Sequence, residues 1–161
     1  MIGRHIFTGM VLLAMIMLAC SSRGLSERES IQVRTEVEAM LKAYQRDVKS
    51  SGLLAEFNYL DSSSDFSWIP PGYEAPISYD SVAFILRKYA PKYKSVDNSF
   101  DVLTIVVVDQ DNASYFGNIR SISVDTSGVV TDVVLEESGT VMRRDAGWRI
   151  VKGSTKVVKR N

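Results

Sequence analysis

Residues 100–158 read FDVLTIVVVDQDNASYFGNIRSISVDTSGVVTDVVLEESGTVMRRDAGWRIVKGSTKVV. Apolar residues recur here at the two-residue spacing of strands, and clusters of turn residues interrupt them. Residues 102–108 are nearly all apolar, which predicts a strand covered on both faces. Gln110-Asp111-Asn112 turns the chain into a second strand over 115–124, where Gly117 marks a bulge or a close approach. Residues 125–128 turn it again. Residues 129–144 are too long for a regular strand, and Ser138-Gly139 is the natural place for a kink. Asp145-Ala146-Gly147 is a hairpin turn, and 148–158 is the last strand. The stretch is a meander of about four long antiparallel strands.

Upstream the apolar period changes to that of helices. Ser26-Glu27-Arg28-Glu29 has the Ser-x-x-Glu pattern of a capping box, in which side chains satisfy the free amides of a helix start. Val33, Val37, Met40, Leu41, Tyr44 and Val48 then form one inward stripe, and the helix ends near Ser50-Ser51-Gly52. Residues 52–61 are expected to hold a short second helix with Leu53, Leu54 and Phe57 inward. Phe66-Ser67-Trp68-Ile69 is strand-like until Pro70-Pro71-Gly72 stops it. Ser78 caps a third helix whose inward residues are Val82, Ile85, Leu86 and Tyr89, and Pro91 closes it. Helices first and a meander second define an α+β class: a curved antiparallel sheet packed on about three N-terminal helices.

At 161 residues and 45% apolar content, the chain supplies one ordinary core. Its 19 basic and 19 acidic residues cancel, and without Arg4 the balance is 18 against 19. Such a chain lacks the basic field that drives nucleic-acid binding, so DNA and RNA are excluded as expected partners. Arg4 and His5 form a basic head, and the next 14 residues, 6–19, are uncharged and mostly apolar. That run is short of the roughly 20 residues of a membrane span but suits an export signal. It ends in Met17-Leu18-Ala19-Cys20, which resembles the lipobox of bacterial lipoproteins, although leucine is commoner in place of Met17 and a small residue in place of Leu18. The resemblance implies a signal peptide over 1–19, cleavage before Cys20, acylation of Cys20 and a tether over 20–25, with the folded domain over 26–161. Two or three acyl chains would anchor the protein stably to membrane lipid. The implied location is the bacterial cell envelope. Ser21 after the cysteine favours the periplasmic face of the outer membrane in a cell that has one.

Three segments carry a second resemblance: Asp65-Phe66-Ser67-Trp68-Ile69-Pro70-Pro71-Gly72, then residues 79–86 with Tyr93-Lys94-Ser95-Val96, then Arg144-Asp145-Ala146-Gly147-Trp148-Arg149-Ile150-Val151. In this order and spacing they resemble the nuclear-transport-factor-2-like (SnoaL-like, ketosteroid-isomerase-like) superfamily, over residues 26–158. The resemblance implies a cone that encloses a pocket, and often a homodimer through the outer face of the sheet. Many members carry a histidine after the last Trp-x-Ile-Val element. Here Lys152, Gly153, Ser154 and Thr155 stand there, so imidazole-dependent activity is not expected.

The only histidine, His5, and the only cysteine, Cys20, both lie at the N-terminus. Carboxylates, tyrosines and lysines are what remains for chemistry. Asp61 or Asp65 with Tyr59 or Tyr115 are the catalytic candidates of a lyase or isomerase, and the competing reading makes both aspartates turn or loop residues. Glu136 and Glu137 point to opposite faces of one strand, so at most one faces inward. Asp109, Asp111 and Asn112 lack the glycine and distal glutamate of a calcium loop, and neither metal nor cofactor is expected. Trp68, Tyr79, Tyr115 and Trp148 are candidates to line a pocket for a small apolar ligand; the alternative, favoured for Trp148, is core packing. Lys156, Lys159 and Arg160 form a basic end, solvated or drawn to anionic lipid heads.

The leading expectation is a lipid-anchored, non-catalytic binding or accessory domain. A lyase or isomerase and a dimerisation module of an envelope complex are the alternatives. A buried carboxylate beside a tyrosine in a closed cavity would favour the enzyme. An uncharged cavity would favour binding, and a filled core with an apolar outer sheet would favour assembly.

Overall fold

The computed structural model describes residues 24–160; the expected signal peptide and Cys20 lie outside them. Helix α1, Glu27–Ser51, starts at the expected capping box. Glu29 Oε2 accepts from the Ser26 N–H at 2.9 Å while Ser26 Oγ accepts from the Glu29 N–H at 3.3 Å. The helix stops at Gly52, whose φ of 84° is one that side chains rarely adopt. A 3₁₀ turn, Leu53–Asn58, and the short strand β1, Ser67–Ile69, follow. Helix α2, Tyr79–Tyr89, is capped by Ser78, and a 3₁₀ turn holding Pro91 ends it. Four long strands complete the chain: β2 Tyr93–Val107, β3 Asn112–Asp125, β4 Val130–Arg144 and β5 Gly147–Arg160.

The sheet order is β1-β5-β4-β3-β2, with β1 parallel to β5 and the other neighbours antiparallel. Helix α1 lies against the concave face. Its Val33, Val37, Leu41, Tyr44 and Val48 are buried in one cluster with Ala113, Tyr115, Val141 and Ile150 of the sheet. Register shifts at Phe100/Val102, Val134/Leu135 and Thr140/Val141 bend the strands around the helix.

Three glycines open the concave face for rings from neighbouring strands. A Cβ on Gly117 would stand 2.7 Å from the Phe100 ring, and one on Gly139 would stand 2.6 Å from the Tyr115 ring. Gly153 does the same for Trp68. An aromatic ring laid over a bare backbone is a known way for strongly bent sheets to hold register. Gly117 is thus a close approach, and Gly139 seats Tyr115 within an unbroken β4 rather than kinking it.

Three local expectations are corrected. Strand β2 is covered on one face only: Val102 and Val106 are exposed, Val106 to 59%, as is Val108 just beyond it, because both helices pack on the concave side. Residues 53–58 form a 3₁₀ turn, in which Leu54 is exposed and Ala55 is buried in its place. Tyr89 is also exposed, since the helix ends at it and the chain turns away.

Candidate functional site

Between α1, α2 and the concave sheet lies a cavity of about 220 Å³. Leu60, Phe66, Trp68, Val82, Ile85 and Leu86 form its apolar walls, and Pro70 and Pro71 border it. Its polar lining is Tyr44, Glu56, Asn98, Glu137 and Thr155.

The register of the sheet places Glu137. On the concave face it stands directly between Gly117 of β3 and Thr155 of β5. Tyr115 faces Gly139, two residues along β4, so its ring lies across the glycine and its hydroxyl reaches diagonally to Glu137. The Tyr115 hydroxyl donates to Glu137 Oε1 at 2.8 Å, and Thr155 Oγ1 donates to Oε2 at 3.2 Å. Burial pushes the Glu137 carboxyl up to about 7, against the pull of these two donors.

Glu56 arrives from the 3₁₀ turn. There its side chain lines the cavity, four residues before Leu60, which lines it too. Glu56 is half-buried as a residue, yet burial is the leading reason that its carboxyl is pushed up to about 8. The charge of Glu137 adds to that rise, and a hydrogen bond from Tyr44 opposes it. Burial, with the two carboxyls close by, holds the Tyr44 and Tyr115 hydroxyls well above their ordinary range. Both phenols therefore stay protonated and act as donors.

No lysine, arginine or histidine lines this cavity among the described residues. The buried Asn98 Oδ1 has no hydrogen-bond partner there either.

Of the residues singled out from sequence, Trp68 lines the cavity and Tyr115 reaches it through Glu137. Tyr79 packs edge-on to Phe66, one layer behind. Trp148 is buried core, its indole N–H donating to Glu36 Oε2 at 3.1 Å under the Arg143 guanidinium. Asp61 and Asp65 lie at the β4–β5 hairpin end, where Arg144 meets Asp61 at 2.6 Å and Asp65 at 3.6 Å. Asp61 also accepts from the Ser63 N–H at 2.7 Å and so caps its own turn. Tyr59 donates to Asp47. Glu136 faces outward and pairs with Lys156. Asp109 accepts from Asn112 within its own turn.

No family model matches the chain, and no curated protein matches it in sequence. Solved structures do. A putative scytalone dehydratase from Novosphingobium aromaticivorans DSM 12444 superposes with a TM-score of 0.73 at 11% identity, over 84% of this chain and 91% of that one. A hexachlorocyclohexane dehydrochlorinase, LinA-type3, from Novosphingobium barchaimii LL02 gives 0.67 at 12% identity, over 84% and 93%. A nuclear transport factor 2 (NTF2-like) superfamily protein from Salmonella enterica subsp. enterica serovar Typhimurium str. LT2 gives 0.65 at 17% identity, over 78% and 90%. The chain has the nuclear-transport-factor-2-like fold, with N-terminal helices on a curved five-stranded sheet.

Proposed function

We propose that the protein is a lipid-anchored bacterial envelope protein whose cone binds one small, mainly apolar molecule. The observation that supports this most is the cavity: about 220 Å³, walled by aromatic and aliphatic side chains, with a few polar groups gathered at Glu137. Pockets of this make-up hold small molecules and fix their orientation through the few polar contacts. The anchor would be acylated Cys20, facing the periplasm from the outer membrane in a two-membrane cell. Native mass spectrometry of the full chain extracted from its own membrane tests both halves. The expected spectrum carries a diacylglycerol adduct and a second, non-covalent mass that leaves on unfolding. A protein that carries neither adduct would overturn the proposal.

A second reading, proton-moving catalysis, is favoured by one observation: two carboxyls in one cavity with different raised pKa values, Glu137 near 7 and Glu56 near 8. Such a split lets the ionised member take a proton from a carbon acid while the protonated member gives one to a leaving group. Two structural neighbours bear the names dehydrochlorinase and scytalone dehydratase. Turnover that stops in Glu137→Gln while ligand binding persists would establish it.

A third observation favours pairing of two copies. Val102, Val106, Val108 and Phe116 are exposed on the outer sheet, a face that no element of the described chain covers. Val106→Glu with Phe116→Glu should turn a dimer into a monomer in analytical ultracentrifugation.

A further inference from the structure

The hydroxyl protons nearest Glu137 are already engaged, since Tyr115 and Thr155 donate to it, and the Tyr44 hydroxyl shares the cavity with Glu56. Asn98 adds a buried carbonyl oxygen with no donor among the described residues. The cavity therefore offers a ligand three acceptor groups and as many as two negative charges. The elements around Glu137 supply no compensating cation. It is faced by Tyr44 from α1, Glu56 from the 3₁₀ turn, Asn98 from β2, Tyr115 from β3 and Thr155 from β5. From α2 and β1 come only apolar or aromatic side chains, Val82, Ile85, Leu86 and Trp68. A buried carboxylate is costly unless something pairs with it. What this site lacks is a positive group with several N–H donors.

Resting on the reading that the cavity holds a small molecule, we propose that its ligand is a protonated organic amine. Its ammonium group would sit against Glu137 and Glu56, and its hydrocarbon body against Phe66, Trp68 and Leu86. An ammonium brings three donors to three acceptor groups and a charge opposite to theirs. Aromatic faces beside it add cation–π attraction. Size sets the body: an apolar cavity of about 150 Å³ takes a benzene ring, so about 220 Å³ takes one ring with a short chain, or an aliphatic amine of that bulk. A carboxylate ligand would meet two like charges. A bare calcium ion would need six or more oxygens, and the aromatic walls provide none.

Three probes of one shape decide the matter: 2-phenylethylamine, 2-phenylethanol and phenylacetate, titrated calorimetrically into the full chain in detergent. At about pH 8.5 the amine is still a cation and both carboxyls should be ionised, so it should bind at least about tenfold more tightly than the alcohol. At about pH 5.5, below the raised values of both carboxyls, that preference should shrink to about twofold. Phenylacetate should not bind. Glu137→Gln and Glu56→Gln should each reduce the preference of the site for the amine over the alcohol. If either variant fails to fold, the two pH values on the native chain still decide. An alcohol that binds as well as the amine, or bound phenylacetate, overturns the amine assignment and leaves the small-molecule reading standing. A preference that survives both glutamine variants overturns the role given to the carboxyls. Failure of all three probes overturns both readings.

Discussion

Strand β4 carries Glu137 at its middle and Arg143 and Arg144 at its end, and these two regions treat acidic groups in opposite ways. At the hairpin end two acids meet arginines: Asp61, only 6% exposed, meets Arg144 at 2.6 Å, and Glu36 meets Arg143 at 2.6 Å. Burial works against the Asp61 carboxylate, but hydrogen bonds from Ser63 and Arg144 outweigh it, and its pKa falls below the ordinary range. Hydrogen bonds from Gln32, Trp148 and Arg143 lower Glu36 in the same way. At the cavity end Glu137 is also 6% exposed, yet it has only neutral donors and its pKa rises. Depth and compensation both differ: Asp61 lies in the shallow hairpin end beside an arginine and holds the fold, whereas Glu137 lies deep among neutral donors and is kept available.

The largest test of that contrast is mutational. Arg144→Met strands a buried Asp61 carboxylate, which should cost about 3–4 kcal/mol. This is the low end for a broken buried pair, because the Arg144 side chain keeps 34% exposure. Glu137→Gln should be neutral or stabilising near pH 8, since it removes a buried charge that nothing pairs. Urea denaturation of the two variants, with unchanged m-values, measures both. Equal losses would abolish the distinction between the two ends.

A pH scan sharpens it. Raised carboxyls bind protons in the folded state that the unfolded chain has released, so stability falls as pH rises from the unfolded value toward the folded one. For Glu137 and Glu56 that window runs from about 4.5 up through about 7 and 8. The ligand-free protein should lose roughly 2–3 kcal/mol across it, part of the full shift being relieved by water entering the cavity. Asp61 and Glu36 are lowered, so their contribution is present above the unfolded carboxyl range and is lost on acidification. Stability should therefore peak near about pH 5 and fall on both sides. The alkaline fall should flatten in Glu56→Gln/Glu137→Gln, and the acid one should not change.

A smaller effect separates the glycines. Gly139→Ala drives a Cβ into the Tyr115 ring, and its backbone neighbour, the Lys152 carbonyl at 2.8 Å, cannot yield as a flexible side chain would. The expected cost is about 2 kcal/mol of overpacking, with ligand binding weakened because Tyr115 leaves Glu137. A crystal structure showing Tyr115 unmoved would contradict the role given to Gly139.

The same residues show how far sequence carries. Periods of 3.6 and 2 were enough to place α1, α2 and all four long strands, because one side of each element is buried and the pattern records it. The order of elements and the short motifs at Trp68 and Trp148 were enough for the fold. The site was only half legible. The alternation rule forced Glu136 and Glu137 apart, but nothing local says which faces the cavity; that is set by the register of β4 with β3 and β5, where the extra residues Val151 and Val158 bulge from β5. Glu56 was hidden because a turn of six residues is too short for a period to mark its inner side, and a charged residue reads as solvent-facing. Asp61 and Asp65 drew attention as acids near the early strand, yet their partner Arg144 stands 83 residues after Asp61, beyond any local pattern. The exposed face of β2 escaped for a related reason: a run of valines records what a strand could bury, not whether the chain covers it.

The finest test bears on one of the two hydroxyls that hold Glu137. Tyr115 stays a phenol, its pKa raised by burial first and by Glu137 second, so its proton favours the ionised carboxylate it is donated to. Tyr115→Phe deletes that donor and keeps the ring over Gly139. Thr155 remains as a second donor to the other oxygen. The loss should be about 1 kcal/mol near pH 8, where Glu137 is ionised, and close to nothing near pH 5, where it is not. The carboxyl should titrate above its present value of about 7, read from the ¹³C shift of Glu137. Tyr59→Phe, removing a donor to the more exposed Asp47, should leave that shift in place. A Glu137 titration that stays put or moves down in Tyr115→Phe would mean that the hydroxyl serves packing alone, and the cavity acid would lose its one oriented partner on β3.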